Sequence, residues 1–277
     1  MMELRYSADK VRYKRMTSSE LKESYVVDNL YQPDEVPLTY SDIDRGVIGS
    51  AVPVKEELGL PIDKELACDY FTQRREIGVL NIGGAGQVIV NDEAFSLAFE
   101  DSLYIGRGNE NVIFKSDDSE NPAKFYFVSY PAHTSYPTKL ITKNMANRIE
   151  LGSLEASNRR VIYQSIRPGV VESCQVVMGF TCLEAGSVWN TMPPHTHGRR
   201  SEYYMYYTLS EENRVFHMMG EPDNIRPLIL SNGEVALSPS WSIHSGAGTS
   251  AYTFCWAMGG ENQEFTDMDH LTMADLA

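Results

Sequence analysis

The sequence predicts an all-β chain, two tandem β-barrels behind a short helical N-terminal segment. Three observations carry this. From Val47 onward the chain is written in short runs rich in Val, Ile, Tyr and Phe. Turn signals of the Gly, Asn-Asp and Pro type break those runs every ~8–12 residues, the texture of a sandwich or barrel. Finally, neither long amphipathic helices nor strand–helix alternation is present, which excludes the α/β folds.

Taken in order, residues 1–40 are polar and charged. Within them SSELKESYVVDNLY reads as a helix from Ser18 toward Leu30, opened by a capping box at Ser18 with Glu20 and Leu21 in approximate register. The first strand-rich half follows, with IGVLNIGG, GQVIVND, SLYIG, VIFKSDD and AKFYFVSYP as its clearest runs. The glycines of Gly83 to Gly86 lack the Lys-Ser/Thr and following helix of a phosphate loop and read as a hairpin turn. Residues 131–145 hold two prolines and little periodicity, so they read as a linker, with His133 packing between the barrels. The second half repeats the texture in SCQVVMGFTCL, EYYMYYTL, RVFHMMG, RPLILSN, EVALSP and AYTFCWAMGG. Laid over each other, Arg74-Arg75-Glu76 matches the approach to Glu202, and Gly106-x-Gly108-x2-Asn111 matches Pro239-x-Trp241-x2-His244. The predicted units are residues 1–140, an arm with a metal-free barrel, and residues 141–277, a metal-binding barrel.

Composition narrows the function. At 277 residues with 42% apolar and 22% charged residues, the chain has the makings of a real core. Its 24 basic against 38 acidic residues leave a net charge of −14, which repels phosphate backbones and argues against nucleic-acid partners. Cys68, Cys174, Cys182 and Cys255 form no C-x2-C pair and are too few to staple a chain this long. MMELRYSADKVRYKRM is charged throughout, with no apolar signal core, and no run approaches membrane-spanning length. A cytoplasmic location with reduced thiols and no membrane partner is the expectation.

The informative stretch is Pro194-His195-Thr196-His197-Gly198-Arg199-Arg200-Ser201-Glu202. His195 and His197 are two apart, so an extended backbone points both rings to one face. Glu202 follows as the strand EYYMYYTL begins. Downstream, His244 comes after a turn, where an antiparallel partner strand can bring it alongside. Three imidazoles and a carboxylate suit Zn, Fe, Mn, Co or Ni. At this composition a chance H-x-H-x4-[D/E] is expected about 0.02 times, which weighs against three unrelated core or solvated histidines.

Here the residues carry a resemblance. The H-x-H-x4-E and P-x-x-x2-H spacing is similar to the two-part metal motif of cupins, jelly-roll-like β-barrels. It departs in the long lead-in from Gly186 and in Trp241, which stands where the motif has Gly. Beyond the motif, RREIGVLNIGGAG, NPAKFYFVSYPAHTSYPTK, SNRRVIYQSI, WNTMPPHTHGRRSE, VFHMMGEP, SPSWSIHSGAGTSAYTFCWAMGGENQEF and DMDH resemble the 5-keto-4-deoxyuronate isomerase (4-deoxy-L-threo-5-hexosulose-uronate ketol-isomerase) family from about residue 70 to the end. That resemblance implies a zinc-binding bicupin that assembles as a hexamer and isomerises a small keto-uronate. The metal ligands it implies fall on His195, His197, Glu202 and His244, the quartet already found by spacing. The activity it implies is conversion of 5-dehydro-4-deoxy-D-glucuronate to 3-deoxy-D-glycero-2,5-hexodiulosonate in pectin breakdown.

Aldose–ketose isomerisation gathers negative charge on adjacent oxygens, and a divalent ion answers it as a Lewis acid. Strand parity places Tyr204 and Tyr206 on the lumen side with Glu202, and turns Tyr203, Met205 and Tyr207 outward. Tyr204 and Arg200 are then candidates for substrate binding, Arg200 as the grip on the carboxylate. Tyr206 and Glu261 are candidates for catalysis, Glu261 as a general base. His217 and Met219 read as core or pocket lining. His270, with Asp267 and Asp269, looks metal-like in its residue types, but as an isolated acidic tail it reads as a solvated face. Two other functions fit the same four ligands: an Fe(II) cupin dioxygenase, which would consume oxygen, and a non-catalytic uronate-binding cupin, which would need an output module not legible here.

Overall fold

A computed structural model describes residues 1–264 and 266–277. The fold is all-β, as expected, and each half is a seven-stranded sheet facing a four-stranded one. The first large sheet runs, neighbour by neighbour, Glu3–Arg5, Leu38–Ser41, Val47–Ala51, Phe125–Pro131, Arg75–Asn81, Ser102–Ile105 and Lys139–Ile141. The second runs Asn147–Leu151, Arg160–Ile166, Val177–Leu183, Thr253–Gly260, Arg200–Tyr207, Val235–Ser238 and Val26–Val27. The five central strands correspond position by position, which is the duplication seen in the sequence; at the outer edge Glu3–Arg5 pairs in parallel whereas Asn147–Leu151 pairs antiparallel.

One edge of each large sheet is closed by a segment whose sequence did not read as strand. Lys139–Ile141, inside the expected linker, pairs with Ser102–Tyr104. Its apolar content is only Leu140-Ile141, too short to show a period. Val26–Val27 pairs with Val235–Ala236 of the second half. The helix before it spans Ser18–Tyr25, not Ser18 to Leu30, because the β-branched pair Val26-Val27 turns the chain extended. Its capping box is set by Thr17, one residue earlier than expected: the Glu20 N–H donates to the Thr17 hydroxyl and the Thr17 N–H to the Glu20 carboxylate at 2.7 Å. Leu21 and Tyr25 are its buried face. The glycines 83–86 join Arg75–Asn81 to Gly86–Val90, strands of two different sheets, so they form a corner and not a hairpin. His133 is exposed and does not pack between the barrels.

Two cores result. One fills the first barrel with Ile77, Val79, Val88, Leu103, Phe114, Phe125 and Phe127. The other holds apolar lumen residues of the second barrel together with the seam between the two large sheets, where Tyr126, Val128 and Tyr130 meet Met178, Tyr203, Met205 and Tyr207. The side chains expected to point outward from EYYMYYTL therefore point into this seam. Both faces of Arg200–Tyr207 are buried, which is why the run shows no polar alternation. The sheets approach closely enough that a Cβ on Gly259 would lie 2.4 Å from the Tyr130 ring. Only glycine fits there.

Candidate metal centre

Glu202 stands on Arg200–Tyr207, opposite Ser238 on one side and Met258 on the other. His195 lies on the short strand His195–Thr196, and His197 begins the turn closed by the Arg200 N–H donating to the His197 carbonyl at 3.1 Å. Their rings stack with centroids 5.3 Å apart, as the i, i+2 spacing requires. His244 arrives differently from the expectation. Its strand, Ile243–Gly248, belongs to the facing small sheet and pairs with Val215–Glu221, so the ring reaches Glu202 across the lumen.

The four donor atoms lie within 4.8 Å of one another. His244 Nε2 is 2.8 Å and His197 Nε2 3.1 Å from the same Glu202 oxygen, and His244 Nε2 faces His195 Nε2 at 2.9 Å. His197, Glu202 and His244 are buried and His195 is half-buried. Burial pushes the His195 ring down to about 2, helped by the neighbouring His244, and lowers His197 as well. Burial would raise the Glu202 carboxyl, but the His244 and His197 rings hold it well below its ordinary value. The lowered His195 and His197 rings beside a lowered carboxyl favour the deprotonated donors that a cation requires. With ring nitrogens and a carboxylate oxygen converging on one point, the group fits a divalent transition metal.

A cavity of about 230 Å³ opens beside His195, His197 and Glu202. Tyr204 lines it, with its hydroxyl 3.2 Å from Thr191 Oγ1 and its ring edge-on to His244. Tyr206 lies deeper and outside that lining, its hydroxyl 2.7 Å from His217 Nδ1. His217 in turn reaches Ser238 through Nε2 at 3.0 Å. His217 is thus a satisfied core histidine, and burial lowers it to about 3. Arg200 is buried with all three guanidinium nitrogens lacking a hydrogen-bond partner among the described residues, and it does not line the cavity. Burial lowers it while the nearby Glu202 raises it. Glu261 is exposed outside the cavity, its N–H donating to the Arg199 carbonyl.

The C-terminal segment is not a free acidic tail. Asp269–His270 pairs with His195–Thr196, and Met268 and His270 line the cavity mouth. Asp267 is occupied by Arg199, whose Nε lies 2.8 Å from both carboxylate oxygens, and by Asn262. That hydrogen bonding holds the Asp267 carboxyl far below its ordinary value. Arg160 also lines the cavity and was not among the sequence-derived candidates. No local signal marks it, since its place depends on the pairing of distant strands.

The register corrects one sequence match. Glu202 pairs with Ser238 and Met258, while Ile77 pairs with Ile105 and Ser129. Since Gly106 follows Ile105 as Pro239 follows Ser238, Ile77 and not Glu76 is the counterpart of Glu202. A shift of one residue changes the face. Glu76 points into the seam, where it accepts the Tyr104 hydroxyl and the N–H groups of Cys174, Gln175 and Val176 at 2.6–2.8 Å. Asn111 is exposed, its N–H donating to the Asn91 side chain.

Residues 35–273 match the model of the KduI/IolB family. Two similar proteins are named 4-deoxy-L-threo-5-hexosulose-uronate ketol-isomerase. One is from Lachnoclostridium phytofermentans, 53% identical over 99% of this chain and 100% of its own length. The other is from Formosa agariphila, 47% identical over 99% of this chain and 98% of its own length. Among solved structures, an IolB-like protein from Salmonella typhimurium has a TM-score of 0.66 at 14% identity, covering 82% of this chain and 87% of that one. A Bacillus subtilis oxalate decarboxylase variant has a TM-score of 0.55 at 11% identity over 82% of this chain and 71% of that one, which supports the shared fold alone.

Proposed function

Because this chain belongs to the KduI/IolB family and is an isomerase, we propose that it converts 5-dehydro-4-deoxy-D-glucuronate to 3-deoxy-D-glycero-2,5-hexodiulosonate, as a step of pectin breakdown, at a centre that holds one zinc ion. The observation that carries this reading is the convergence of His195, His197, Glu202 and His244 on one point, with the first three lining a cavity. These four residues would hold the ion. When bound there, it supplies Lewis acidity to adjacent oxygens of the sugar acid, where negative charge gathers as hydrogen moves between two carbons.

The chain's own groups do the rest. Tyr204 offers a hydroxyl at the cavity wall to orient the substrate. Beneath it the Tyr206–His217–Ser238 chain fixes the lumen, and Tyr206 is the inner candidate for moving a proton. Arg200 is buried on the strand of Glu202 with an unpartnered guanidinium, and it would reach the substrate carboxylate only by turning toward the cavity. Trp256, Phe254 and Met258 exclude water from the reacting carbons. Glu261 acts as a general base only if its exposed bend folds inward on substrate. In this reading residues 141–277 are the working barrel, residues 1–140 support it, and the chain works in the cytoplasm as a homo-oligomer. No helix among the described residues is long and apolar enough to cross a membrane.

The test is elemental analysis of the purified protein with an assay of ketouronate conversion in anaerobic buffer, before and after chelation. Zinc near one equivalent, turnover without oxygen and loss of turnover on chelation are expected. Oxygen-dependent turnover with iron would establish the dioxygenase instead, and binding without turnover the uronate-binding cupin.

A further inference from the structure

Resting on the isomerase reading, we propose that Arg160 is the specificity-determining residue that receives the carboxylate of the sugar acid. Arg160 is the one permanent cation among the described residues that line the cavity. Most of the remaining wall is apolar, with Ile162, Met192, Phe254 and Trp256 among its members. A carboxylate brought in without a partner would lose its hydration for nothing. An arginine fork restores it with two parallel hydrogen bonds.

Position along the sheet supports the assignment. Arg160 pairs with Leu183, and Val161, through Cys182, is level with Thr253 and Tyr207. Glu202 lies five residues farther along Tyr207's own strand. Arg160 and the metal ligands thus stand at opposite ends of one cavity, as the carboxylate and the reacting carbons stand at opposite ends of a six-carbon sugar acid. The guanidinium is also held in place. Its Nη1 donates to the Asn158 carbonyl at 2.8 Å. Asn158 in turn closes the turn begun at Gly152 (φ +78): its N–H donates to the Ser153 carbonyl at 3.2 Å, and its side chain accepts the Ser153 N–H at 3.0 Å. One edge of the fork is used for anchoring and another is left for ligand. Arg200, by contrast, does not line the cavity.

The experiment uses full-length, metal-loaded protein and two non-reacting probes, D-glucuronate and its neutral amide D-glucuronamide, beside the ketouronate assay. Wild type should bind the acid at least about ten-fold more tightly than the amide. Arg160→Gln should bind the two alike and raise KM for the ketouronate by at least about ten-fold, with metal content unchanged. Arg160→Lys, which keeps the charge without the fork, should recover part of the preference, and it carries the same comparison if the glutamine variant does not fold. Retention of the full acid-over-amide preference and a KM within about two-fold in either folded variant overturns the proposal. Absence of ketouronate turnover in wild type is a different failure, that of the isomerase reading itself, and the acid–amide comparison still reports on Arg160.

Discussion

The two barrels share a strand order and differ in what their lumens contain. Where the second has Glu202, Tyr204 and Tyr206, the first has Ile77, Val79 and Asn81 at the paired positions. Arg75 and Arg200 occupy equivalent places as well. Arg75 spends its nitrogens on Ser129 and on the Arg45 carbonyl, whereas Arg200 has no hydrogen-bond partner among the described residues. One barrel is finished as a hydrophobic core, and the other keeps polar atoms that its own side chains do not satisfy. The difference teaches that one scaffold accepts either filling: Ile77 and Val79 belong to the first core, while Glu202 stands among the donor atoms of the second barrel.

The largest test of this contrast is removal of a ligand. His244→Ala should lower both metal content and isomerase activity by at least about 100-fold while the melting curve stays cooperative. Asn111→Ala should change neither, and loss of a metal equivalent there would make the first barrel a site too. Next, Ile77→Glu would transplant the carboxylate without its imidazoles. A buried unpaired charge should destabilise the fold by about 3–5 kcal/mol in urea titrations, and a neutral outcome would refute the register correspondence. Glu76→Gln comes third. It should cost about 1.5–3 kcal/mol through weakened N–H contacts at residues 174–176 and leave the metal bound.

The smallest effect, per pH unit, is the pH dependence. The first half has one histidine, exposed His133, whereas the second buries His217, whose ring is lowered from 6.5 to about 3 by its surroundings. Between those values the unfolded chain binds a proton that the folded chain refuses, so stability is full above pH 6.5 and falls as pH drops toward 3. The slope is at most about 1.4 kcal/mol per pH unit. In urea titrations across that range, His217→Gln should flatten the slope, and an unchanged slope would assign the effect to other groups.

Local spacing was legible without any structure. The two-residue interval between His195 and His197 sets ring direction by backbone geometry alone, and the parity of Glu202, Tyr204 and Tyr206 follows the strand period. The strand-and-turn texture likewise required only neighbouring residues. Tertiary structure decided what depends on distant pairing. It placed His244 on the facing sheet, gave Glu76 to the seam by a one-residue register, and sent Tyr203, Met205 and Tyr207 into a second burial surface. It also recruited Val26–Val27 to a sheet edge some 200 residues away in sequence and carried Arg160 into the cavity. A side chain's direction is a local property of its strand. The surface it meets is fixed only when strands far apart in the chain choose their partners.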